Sequence, residues 1–158
     1  MFLLSSPAFL NNGEIPSKYT CDEDRFLSPP LSISDVPESA ASLALIMDDP
    51  DVPKAKHLSG VFDHWVLFNL PPDTAEIPEG KSVGTAGANS RGEMHYTGPC
   101  PPPEYEPSEH RYVFRLYALD EVLNLPAGAT KKEVLAAMEG HIIAIAEFVG
   151  RYRRVVKN

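Results

Sequence analysis

Three stretches of the chain, residues 42–48, 64–70 and 110–119, are built from β-branched, aromatic and aliphatic side chains and each ends at Pro, Asn or Asp. Their apolarity runs continuously instead of alternating, so both faces of each strand are expected to be covered, as in the middle of a sandwich or a closed sheet. Residues 1–41 are dense in turn signals, Asn11-Asn12-Gly13, Cys21-Asp22-Glu23-Asp24 and Ser28-Pro29-Pro30 among them, and read as short strands and loops. The turn signals scattered between strands favour an all-β architecture over alternating β and α units.

One helix is well signalled. Thr130-Lys131-Lys132-Glu133 is a capping box, Val134, Leu135 and Met138 make an apolar stripe, and Gly140 supplies the stop. After it, residues 142–149 read as a two-faced strand, with Ile143, Ile145 and Val149 on one side and Ala144, Ala146 and Phe148 on the other. The basic tail Arg151-Tyr152-Arg153-Arg154 reads as a solvated terminal edge.

Composition narrows the function classes. A chain of 158 residues fits one domain over residues 1–158, and 16 prolines against 10 glycines favour turns over long helices. The net charge of -8 argues against an overall nucleic-acid or anionic-membrane binder, so any anion must be held locally. No segment approaches the ~20 apolar residues of a membrane span, and the first residues lack a basic region before their short apolar stretch, so a cytoplasmic location is expected. Cys21 and Cys100 are far apart in sequence and are expected as two reduced thiols, not as a disulfide or a zinc site.

The chemistry gathers where the first long strand meets Asp48-Asp49-Pro50-Asp51. If that strand and the one beginning at His64 are antiparallel neighbours, residues 49–51 and the His64 imidazole share one end of the sheet. The connection between them exceeds a hairpin loop, and Pro50 and Pro53 stiffen its entry. In His110-Arg111-Tyr112, the period of two puts His110 and Tyr112 on one face and Arg111 on the other, where it needs a partner such as an aspartate. Before it, Tyr96-Thr97-Gly98-Pro99-Cys100-Pro101-Pro102-Pro103 is a rigid loop suited to walling a pocket. The plainer readings are a surface turn at Asp-Pro-Asp and core histidines bonded to backbone. No close-spaced ligand pair supports a metal, and Ser59, Ser90 and Cys100 lie in no nucleophile-elbow pattern, so neither metal nor catalysis is expected.

Taken in order, Asp49-Pro50-Asp51-Val52-Pro53, His64 to Pro71, Gly98-Pro99-Cys100-Pro101-Pro102 and His110-Arg111-Tyr112 resemble the phosphatidylethanolamine-binding protein family, in its prokaryotic branch of Raf kinase inhibitor-like proteins. The resemblance covers nearly the whole chain. It implies a two-sheet antiparallel Greek-key β-sandwich with one short helix near the C-terminus. It also implies a pocket for phosphate, phosphorylethanolamine or a similar small anion, with ligand-binding roles on Asp49, His64, Pro102, His110 and Tyr112, with Tyr96 and Pro53 lining the cavity, and with Asp51 and Arg111 in support. Val52-Pro53 is the candidate for a cis peptide. Arg91 stands where relatives commonly carry an aromatic, and Glu104 and Glu106 stand where glycine is common. The resemblance leaves two further readings, a regulator of a kinase or serine protease and a hydrolase or lyase working through His64 and His110. No cofactor is implied, and a homodimer is one expectation because prokaryotic relatives are often dimers.

Overall fold

The computed structural model describes residues 1–155. In chain order the elements are β1 (Leu3–Ser5), β2 (Gly13–Glu14), a 3-10 turn at Ser17–Tyr19, β3 (Leu31–Ser34), β4 (Ser42–Asp49) and β5 (Phe62–Leu70). There follow β6 (Glu76–Ile77), β7 (Thr85–Ala86), β8 (Glu109–Leu119), helix α1 (Lys131–Met138) and β9 (Ile142–Arg153). They form two sheets, a small one in the order β1-β3-β6 and a large one in the order β2-β9-β8-β4-β5-β7. All pairings are antiparallel except β2 with β9.

The continuous apolarity of β4 follows from its place. Its odd-numbered residues Leu43, Leu45 and Met47 face the small sheet and pack in one core with Leu4, Leu31, Ile33 and Ile77. Its even-numbered residues Ala44 and Ile46 form a second core on the opposite face, with Val66, Phe68, Tyr117 and the α1 residues Val134 and Met138. Every residue of β4 is buried. Burying each large apolar side chain contributes on the order of 1.5–3 kcal/mol, so the helix secures the outer face with two fully buried residues. It starts where the capping box was expected: Thr130 Oγ1 accepts from the Glu133 N–H at 3.2 Å, and Glu133 Oε1 accepts from the Thr130 N–H at 3.2 Å.

Three expectations need correction. The tail at residues 151–154 is no solvated edge, because β9 runs to Arg153 between β8 and β2. Tyr152 is fully buried with its phenol on Asp22, and Arg154 donates to the same carboxylate at 2.9 Å. Cys21 and Cys100 form a disulfide with Cα atoms 5.4 Å apart. Their sequence separation of 79 hides two loops that run together, joined by Cys21 N–H to the Pro99 carbonyl at 3.1 Å and by the Tyr96 hydroxyl to the Tyr19 carbonyl at 2.8 Å. The cis peptide among the described residues is Glu106-Pro107, not Val52-Pro53. Any residue–proline bond has a small cis penalty, so local sequence does not choose between candidates. No helix among these residues is long and apolar enough to cross a membrane.

Candidate functional site

The three aspartates after Met47 take three different directions. Asp48 points to the outer face, where Lys131 Nζ lies 3.3 Å from it and 2.6 Å from Asp63. Asp49 points inward and its Oδ2 accepts from His110 Nδ1 at 2.6 Å, with both side chains almost wholly buried. Its Oδ1 accepts from the Asp51 N–H at 2.8 Å, closing an Asx turn that fixes the loop after the strand. Asp51 in turn takes Arg111, with Nε at 2.9 Å, Nη2 at 2.8 Å and the Arg111 backbone N–H at 2.9 Å. Arg111 thus finds the acidic partner expected for it, on the face away from His110.

His64 reaches the inner face through a bulge. Along β5, Trp65 and Leu67 lie in the inner core and Val66 and Phe68 in the outer one, so simple alternation would turn His64 outward. The pairing slips between Met47↔Trp65 and Asp48↔Asp63, which leaves His64 as the extra residue and returns it to the inner side. There its ring lies 5.3 Å from that of Tyr112, edge to face, while the His110 ring lies 6.4 Å from the same tyrosine ring at an interplanar angle of 25°. Because β5, β4 and β8 are adjacent, His64, Asp49, His110 and Tyr112 meet at one end of the large sheet.

Over this end opens a cavity of about 230 Å³. Asp49, Pro53, His64, Pro102 and His110 line it. Tyr112 lies behind the two imidazoles, outside the lining, and its hydroxyl has no hydrogen-bond partner among the described residues. Tyr96 also lies outside the lining: it stands edge-on to Trp65 and borders a separate cleft of about 100 Å³. Gly98 lines the larger cavity, and a Cβ there would sit 2.2 Å from the Tyr19 carbonyl oxygen, so only glycine lets the two loops close.

The two histidines have opposite proton affinities. Burial pushes His64 down to about 4, although its Nδ1 bonds the Thr97 carbonyl at 2.6 Å. The neutral ring therefore donates through Nδ1 and offers Nε2 as an acceptor. Burial also works against a charged His110, but the Asp49 carboxylate outweighs it and His110 is raised above the usual value. With Nδ1 committed to Asp49, Nε2 of His110 is a donor when the ring is protonated; it is buried near the Pro107 carbonyl without a well-formed hydrogen bond among the described residues, and the buried hydroxyl of Thr97, another lining residue, has no partner there either. Arg111 holds Asp51 below its ordinary carboxylate range.

Several lining residues were not anticipated: Arg25, Lys56, His57 and Phe62. Loop length pointed toward Lys56 and His57, and the proline-rich stretch contained Thr97, but nothing in the local sequence of Arg25 separates it from an ordinary turn residue. Arg91, set apart as a departure from the family pattern, does line the cavity, while Glu104 and Glu106 do not. Among the described residues no three His, Cys, Asp or Glu side chains are placed to hold a metal ion.

Comparison with known proteins places this geometry. The family model described as phosphatidylethanolamine-binding protein matches residues 5–153. A UPF0098 protein of Methanothermobacter thermautotrophicus is 49% identical over 158 residues, covering 96% of this chain and 98% of its own. One from Chlamydia trachomatis is 46% identical over 152 residues, covering 96% and 98%. Among solved structures, a phosphatidylethanolamine-binding protein homologue from Chlamydia trachomatis matches with a TM-score of 0.91 at 45% identity, covering 98% of each chain. Escherichia coli YbcL, 24% identical, shares the fold with a TM-score of 0.85 over 98% of this chain and 99% of its own. The chain belongs to the phosphatidylethanolamine-binding protein family.

Proposed function

We propose that the chain is a binding protein for a small anion, phosphate or a phosphorylated headgroup, held in the cavity at the end of β4, β5 and β8. The observation that carries this reading is the His110 imidazole in the cavity lining, its Nδ1 clamped by Asp49 and its buried Nε2 near the Pro107 carbonyl without a well-formed hydrogen bond among the described residues. Asp49 fixes the ring and favours its protonated form, so that Nε2 donates a charge-assisted hydrogen bond to an anion oxygen. Thr97 Oγ supplies a second donor. His64 is neutral, so its Nε2 accepts, which suits the protonated oxygen of a phosphate monoanion. Pro53, Pro101 and Pro102 wall the cavity without adding backbone donors of their own. Nothing in this arrangement requires a cofactor or a bond-breaking step.

Isothermal titration with inorganic phosphate tests the reading. His110→Ala is expected to weaken binding at least tenfold, since a hydrogen bond to a charged group is worth roughly 1.5–3 kcal/mol. Equal affinity in the folded variant, or no binding by the wild type at millimolar phosphate, contradicts it.

A further inference from the structure

The charge around the cavity is one-sided. Arg25, Lys56 and Arg91 line it, and its single lining carboxylate, Asp49, is already committed to His110. In a chain of net charge -8 this is a local reversal of sign, assembled from three separate segments. Arg25 comes from the loop before β3, Lys56 from the connection between β4 and β5, and Arg91 from the loop after β7.

Two of these cations meet no acid among the described residues, and the third is paired through one nitrogen only. Arg25 has no ion pair among the described residues, and its buried Nε has no hydrogen-bond partner there. It is held by its backbone instead, its carbonyl accepting from the Gly98 N–H at 2.6 Å. Lys56 Nζ lies over the Tyr105 ring at 5.5 Å and meets no carboxylate among those residues. Arg91 spends only its Nε on Glu93, at 2.9 Å. The inner end of the cavity contributes little net charge, with Asp49 balancing His110 and His64 neutral, so the excess positive field belongs to these other walls.

We infer that the pocket selects phosphate monoesters bearing a second anionic group, and disfavours a zwitterionic headgroup whose ammonium would meet Arg25, Lys56 and Arg91. This rests on the anion-binding reading above and adds the chemical class of the ligand to it. The phosphate occupies the His110 and Thr97 donors, and the second anion, a carboxylate or another phosphate, meets the guanidinium and ammonium groups.

Phosphoglycolate and phosphorylethanolamine are nearly equal in length and differ at the far end by a carboxylate against an ammonium. Titrated in parallel at pH 7 and low salt, with inorganic phosphate as the reference, phosphoglycolate is expected to bind on the order of tenfold tighter than phosphorylethanolamine, with the gap narrowing as salt is added. Arg25→Gln and Arg91→Gln should each shrink that ratio. Phosphate binding with equal or reversed preference overturns this inference and leaves the anion site standing, and a preference untouched by both substitutions overturns its assignment to these arginines. If none of the three compounds binds, the anion reading itself fails and takes this one with it. Should either variant not fold, the wild-type ratio and its salt dependence decide alone.

Discussion

His64 and His110 both neighbour one tyrosine ring, yet their surroundings separate their chemistry. His64 is buried against a neutral carbonyl, whereas His110 is buried against a carboxylate. A base whose folded pKa is lowered from 6.5 to about 4 takes up its proton on unfolding within that window. Stability from this residue is therefore intact above pH 6.5 and falls as pH drops toward 4, by about 3 kcal/mol if nothing relaxes. Urea unfolding at pH 7 and pH 4.5 should show a smaller pH difference for His64→Gln than for the wild type. Identical pH dependence would mean that His64 is not buried in neutral form. At this scale the meeting of residues 49–51 with His64 at one end of the sheet was legible from strand ends, and period-two alternation put His110 and Tyr112 on one face, but the bond from His110 to Asp49 was not read from either. The inward turn of His64 depends on an extra residue in β5 that alternation alone does not reveal, and Tyr96 does not line the cavity as expected because lining depends on depth as well as on face.

Among the elements, the long strands were the most legible, since two covered faces leave continuous apolarity, and α1 announced itself through its capping box. The two-residue strands β2, β6 and β7 were not, because pairing to a neighbour makes them and no local pattern does. The disulfide escaped for a related reason, its cysteines being brought together by the packing of loops around Gly98. Closing a 79-residue separation should stabilise the fold by about 4 kcal/mol on a loop-entropy account. The double substitution Cys21→Ser, Cys100→Ser is then expected to melt roughly 10 °C below the oxidised wild type. Since Cys100 lines the cavity, phosphate affinity should drop with it. An unchanged melting temperature, or two free thiols titrated in the unreduced protein, would contradict the bond's structural role.

For the whole molecule, the sandwich places two cores on either side of the large sheet and leaves the end of β4, β5 and β8 open to the loops that carry charge. An acidic chain thereby presents a basic pocket, a contrast that net charge conceals because the cations come from segments distant in sequence. The most direct test of the account is nitrogen-detected NMR of the five imidazoles during titration with phosphate. His110 is expected to respond first, its Nε2 signal shifting and its pKa rising further as the anion accepts a hydrogen bond from it, while His64 stays neutral. Phosphate shifts confined to the more exposed His95 and His141, with His110 unmoved, would contradict it.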